Sequence, residues 1–107
     1  MQHISAPGLR LWLDDGTRAQ PVLLDVREPW EYQIAHLDNA QLMPMHTIPG
    51  ELDKLDPHAD IVVICHHGVR SMQIAHFLER AGFDHIYNLQ GGIDAWAQSV
   101  DKNMPTY

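Results

Sequence analysis

Two short runs of nearly unbroken hydrophobicity stand out along the chain: Val22-Leu23-Leu24-Asp25-Val26 and Ile61-Val62-Val63-Ile64-Cys65. Runs this short, rich in aliphatic and β-branched residues, predict strands buried on both faces, as in a parallel sheet. Ile86-Tyr87-Asn88-Leu89 is a third strand candidate, with weaker ones at His3-Ile4-Ser5 and Gln41-Leu42-Met43. The stretches between them change period. From Arg70 to Ala81, the residues Ile74, Leu78 and Ala81 fall on one helical stripe, and Gly82 followed by Phe83 suits a left-handed cap. Pro29-Trp30-Glu31-Tyr32 puts proline at a first helical position and an acid in the first turn. Shorter helices are predicted at Leu9 to Leu13, Ile48 to Leu55 and Gly92 to Gln98. Strand and helix alternate about five times, which predicts an α/β three-layer sandwich: a mostly parallel five-stranded sheet flanked by helices.

At 107 residues the chain is the size of one domain, and no repeat or linker divides it. The polar stretch from Asp101 to Tyr107 is expected to fray. A 45% hydrophobic share with 20% charged residues is an ordinary globular mix and argues against disorder. Fourteen acidic residues against seven Lys and Arg give −7, which speaks against partners such as nucleic acid or an anionic membrane surface. No run reaches the length of a membrane span, and the first residues lack the basic-then-apolar order of a signal peptide. One cysteine, Cys65, leaves no internal disulfide, no CxxC and no metal site built from several thiolates. A lone thiol fits a reducing compartment, so a cytoplasmic location is expected.

In open parallel sheets, ligands bind beyond the carboxyl ends of the strands. Asp25-Val26-Arg27 and Cys65 both fall there. After Cys65 the chain reads His66-His67-Gly68-Val69-Arg70-Ser71 and then a helix. A strand, a short loop and a helix N-terminus make a cup of N–H groups, with Gly68 permitting the reversal and Arg70 adding a cation. A thiol at the bottom of that cup has its anion stabilised by amides, helix dipole and guanidinium. A single cysteine closing a hydrophobic strand is more often an inert core residue, and the loop that follows reverses those odds. His66 and His67 are candidate donors at the mouth, while adjacent loop positions give poor geometry for a metal shared with Cys65. No metal or other cofactor is expected. Asp25 and Arg27 are expected to brace the loop through charge-assisted hydrogen bonds. His36 is expected to be a hydrogen-bonded core or turn residue, Trp30 and Trp96 to pack, and Trp12 is a candidate exposed contact.

Four segments, in order, resemble the signatures of the rhodanese-like domain family: Leu23 to Tyr32, Ala35 to Ala40, the loop Cys65 to Ser71, and Gly91-Gly92-Ile93-Asp94-Ala95-Trp96. Together they span residues 21–96, and the resemblance implies one rhodanese-like domain over residues 1–107. Ala35 and Asp38-Asn39 stand where the family has Gly and Pro-Gly, and Asn39 can supply the left-handed turn. The resemblance implies a sulfurtransferase in which Cys65 attacks a donor's outer sulfur, holds it as a persulfide, and passes it on. Its partners would be a small-molecule or protein sulfur donor, thiosulfate or a persulfide, and an external acceptor, a thiol or cyanide. Four residues separate Cys65 from Arg70, one fewer than in the related phosphatases and arsenate reductases, which favours sulfur over a phosphoryl group. The competing reading is a non-catalytic or regulatory interaction module that keeps the fold.

Overall fold

The computed structural model describes residues 1–107. Five parallel strands form one sheet: β1 (Gln2–Ile4), β2 (Val22–Asp25), β3 (Gln41–Leu42), β4 (Ile61–Ile64) and β5 (Ile86–Leu89), in the spatial order β1-β5-β4-β2-β3. The helices are α1 (Ala6–Asp14), α2 (Pro29–Ile34), α3 (Val69–Arg80) and α4 (Gly92–Ser99). All four residues of β4 are buried, and β4 lies between β2 and β5. That is why its sequence is hydrophobic without alternation: both faces of the central strand are covered.

The two faces form separate cores. On one side Leu24, Val26, Ile61 and Val63 pack with Ile74, Ala75 and Leu78 of α3. On the other, Leu23, Val62 and Ile64 pack with Leu9 and Trp12 of α1 and with Ile93 and Trp96 of α4. Successive residues of β2 and β4 therefore feed opposite cores, as the two-residue period of a strand requires. Helix α3 closes as its sequence predicts. Gly82 takes φ 100°, and the Phe83 N–H donates to the Leu78 carbonyl at 3.0 Å while its side chain joins the α3-side core. Asn39 takes the left-handed conformation, with φ 65°.

Several expectations change. The helix expected over Ile48 to Leu55 is two 3₁₀ segments, Met45–Gly50 and Leu52–Lys54, because Pro49 inside the first cannot donate to a continuing ladder. Trp12 is not an exposed contact but core, 2% exposed, with its indole N–H on the Ala19 carbonyl at 2.9 Å. Trp96 is buried as expected, whereas Trp30 is 60% exposed. His36 is an exposed residue, its Nδ1 2.9 Å from the Tyr32 carbonyl and its ring stacked on Tyr32.

Candidate active site

The carboxyl ends of β2, β4 and β5 lie side by side at one edge of the sheet, so the segments leaving them meet. Cys65 follows the last residue of β4 and is 1% exposed. The chain then reverses at Gly68, whose φ of 101° lies in the region that side chains avoid, and enters α3 at Val69. The turn folds the backbone over the thiol: the Gly68 N–H donates to Cys65 Sγ at 3.0 Å. Ser71 Oγ lies 3.2 Å from the same sulfur and donates to Asn88 Oδ1 at 2.5 Å. The Asn88 amide donates in turn to the Gly68 carbonyl at 3.3 Å, which ties β5 to the reversal. The first-turn N–H groups of α3 have no acceptors within their own helix and belong to this same loop.

Helix α4 clamps the loop from the other side. The Ile93 and Asp94 N–H groups donate to the Cys65 and His66 carbonyls at 2.8 and 3.1 Å. Gly91 and Gly92 make the approach possible. Both have positive φ, and a Cβ on Gly92 would lie 2.4 Å from each of those carbonyl oxygens.

The charged groups sort into two layers. Asp25 and Arg27 form a fully buried pair, Nη2 to Oδ2 2.7 Å. The guanidinium also donates to the Glu31 and Ala35 carbonyls, at 3.3 and 2.7 Å, and to the Tyr107 hydroxyl at 3.0 Å. The pair therefore braces α2 and Tyr107, not the Cys65 loop that it was expected to hold. The bracing of the loop falls to Glu31, which grips Arg70 in a bidentate pair at 2.7 and 2.8 Å. The Tyr107 hydroxyl donates to the same carboxylate at 2.6 Å. The Arg70 hydrogen bonds and, less strongly, that of Tyr107 hold the Glu31 carboxyl down at about 2 despite its burial. Burial and the neighbouring carboxylate push the Tyr107 phenol up to about 12, so it remains a donor.

At the mouth the His66 ring stacks between His67 and Tyr107, each at 3.9 Å. The two imidazoles lie face to face. Burial, and secondarily His67, lowers the His66 pKa, which leaves that ring neutral at pH 7. His67 Nδ1 lies 3.8 Å from Asp94, and Val69 is exposed. Residues 101–107 do not fray: Tyr107 is pinned on Glu31, Arg27 and His66, and Met104 packs against the α1/α4-side core. A cleft of about 240 Å³ opens elsewhere, between Arg10, Asp14, His36 and Trp96.

A family model, the rhodanese-like domain, matches residues 8–99. The chain belongs to the rhodanese-like domain family. A crystal structure of a rhodanese-like domain protein from Staphylococcus aureus superposes with a TM-score of 0.85 at 30% identity, covering 100% of this chain and 99% of that one. The probable adenylyltransferase/sulfurtransferase MoeZ of Mycobacterium tuberculosis is 44% identical over 101 residues, 92% of this chain but 25% of MoeZ. The thiosulfate sulfurtransferase GlpE of Vibrio cholerae is 30% identical, over 80% of this chain and 78% of its own. This rhodanese-like chain spans only 25–30% of the length of the relatives it matches at 43–44% identity.

Proposed function

We propose that this rhodanese-like chain is a sulfurtransferase with Cys65 as its nucleophile. The observation that carries the reading is the position of Sγ: at the end of the central strand, under the Gly68 N–H at 3.0 Å, with Ser71 at 3.2 Å and the N-terminus of α3 beyond. An amide donating to the sulfur from the N-cap of a helix suits an anion there, whether thiolate or persulfide. Relatives carrying the word sulfurtransferase in their names support the same reading.

The reaction runs in two displacements. The Cys65 thiolate attacks the outer sulfur of a donor X–S⁻, forming the S–S bond of the enzyme persulfide as the X–S bond breaks and X leaves with its electron pair. With thiosulfate, X leaves as sulfite. An acceptor, cyanide or a thiolate, then attacks the outer sulfur, and the Cys65 thiolate leaves. These 107 residues hold no second cysteine, so the acceptor lies outside them. Gly68 and Ser71 face the sulfur throughout, and Arg70 and the imidazoles of His66 and His67 border the entry. Cys65 is nearly fully covered, so a donor reaches it only as those mouth side chains part. A reducing cytoplasm would keep the thiol available between turnovers.

Intact mass decides this. Reduced protein incubated with a sulfane-sulfur donor is expected to gain one sulfur atom, lose it on adding cyanide, and gain nothing as Cys65→Ser. A thiol that alkylates readily yet takes sulfur from neither thiosulfate nor an organic thiosulfonate overturns the reading and leaves the interaction module.

A further inference from the structure

The loop has one fixed cation, and its charge is already cancelled. Arg70 is held by both oxygens of Glu31, and Glu31 is held in place from behind by the Tyr107 hydroxyl. Glu31 is 3% exposed and the Arg70 side chain 34%, so the carboxylate is out of water while solvent reaches only part of the guanidinium. The second guanidinium nearby, Arg27, is likewise matched by Asp25. What remains at the mouth is Asp94, beside His67, and a neutral His66. The fixed charges around the entry, Arg70 and Arg27 against Glu31, Asp25 and Asp94, therefore leave no positive excess, on a chain whose total is −7. Exposed apolar surface lies nearby: the Trp30 ring meets Tyr107 edge-on at 5.7 Å, and Val69 opens α3. Trp30 and Val69, the chain neighbours of Glu31 and Arg70, are 60% and 62% exposed.

Resting on the sulfurtransferase reading, we propose that Glu31 is a specificity-determining residue. By neutralising Arg70 it turns the site away from dianionic donors such as thiosulfate and toward organic sulfane sulfur of one negative charge, as in an alkyl persulfide or thiosulfonate. A dianion approaching Cys65 gains nothing from an Arg70 whose field Glu31 cancels, and it meets Asp94 with twice the repulsion that a monoanion feels. The organic group of a singly charged donor finds Trp30 and Val69 to rest on. GlpE of V. cholerae is named for thiosulfate. At 30% identity that leaves the donor of this chain to its own charges.

Thiosulfate and methanethiosulfonate make a matched pair of probes, the second carrying a methyl group where the first carries an anionic oxygen. Each gives Cys65 one sulfur and leaves as sulfite or methanesulfinate, with no oxidant needed. Loading rates for the two, followed by intact mass at pH 8, give a ratio in which general damage to the fold cancels. Glu31→Gln is expected to raise the thiosulfate-to-methanethiosulfonate ratio about tenfold. Asp53→Asn, the same charge change on an exposed segment outside the site, is expected to leave the ratio alone. Should Glu31→Gln not fold, Asp94→Asn removes the other mouth carboxylate with the Arg70 pair intact, and it is expected to shift the ratio in the same direction. A ratio unchanged in the folded carboxylate variant, or shifted equally by Asp53→Asn, overturns the proposal and leaves the sulfurtransferase reading standing. Loading from neither probe by the parent protein overturns both.

Discussion

Ser71 has two jobs that separate on substitution. Its hydroxyl sits 3.2 Å from Cys65 Sγ and supplies the donor for the Oδ1 of Asn88, a side chain 3% exposed. Ser71→Ala leaves that buried carbonyl oxygen without its partner, and the fold is expected to lose about 1–2 kcal/mol, read from the urea midpoint. A midpoint equal to that of the parent would show that Asn88 turns to another donor. Ser71 was visible in the sequence because it lies in the loop that follows Cys65. Asn88 was not singled out, although a lone amide in an otherwise apolar strand is itself a signal: a buried polar group needs a partner, and this one ends beside the loop. Glu31 escaped for a different reason. A glutamate in the first turn of a helix is fully explained by capping, and it does cap, accepting the Glu28 N–H at 3.0 Å. Nothing local says that the same carboxylate reaches Arg70, 39 positions further on.

Elements meet at the site through backbone, and Gly92 is the tightest of those meetings. It opens α4 with φ 61°, and a Cβ there would overlap the Cys65 and His66 carbonyl oxygens that accept from Ile93 and Asp94. Gly92→Ala is expected to cost about 3 kcal/mol or more, from left-handed strain plus the clash. Thermal unfolding should show it as a fall of about 12 °C or more. Gly82→Ala, also at positive φ but with nothing within 4 Å of its Cβ, should lose only the strain, about 1–2 kcal/mol. Equal losses for the two would mean that α4 shifts to make room. The elements themselves were largely legible, because a central parallel strand and an amphipathic helix both write their burial into short-range pattern. Strands β2, β4 and β5 and helix α3 fall within a residue of expectation. The segment 45–54 did not, since 3₁₀ and α turns share nearly the same apolar spacing and only Pro49 tells them apart. The packing of residues 101–107 was illegible for another reason. A polar stretch looks like a fraying end until a partner is known, and the partners of Tyr107 are Arg27 and Glu31, far away in sequence.

Across the whole molecule, one interaction joins α2, α3 and the 101–107 segment, and it titrates. The Glu31 carboxyl lies at about 2, against 4.5 for an ordinary glutamate, chiefly because Arg70 donates to it. The folded state therefore binds this proton more weakly than the unfolded chain does, and stability rises with pH wherever the unfolded chain is the more protonated. The contribution is fully present above pH 4.5 and is lost progressively as pH falls toward 2. Its size is on the order of 1–3 kcal/mol, since solvent reaches part of the Arg70 guanidinium. The upward shift at Arg70 is the same interaction seen from the other partner, and it adds nothing further. Other carboxylates of an acidic chain also protonate in this range, so the parent's acid limb alone does not isolate Glu31. The difference from Glu31→Gln does. The variant is expected to be less stable at pH 7, and the gap between the two proteins, read from urea midpoints, should close between pH 4.5 and 2. A gap that stays constant through that range would mean that Glu31 contributes by packing and capping alone. In that case its charge would not be what neutralises Arg70.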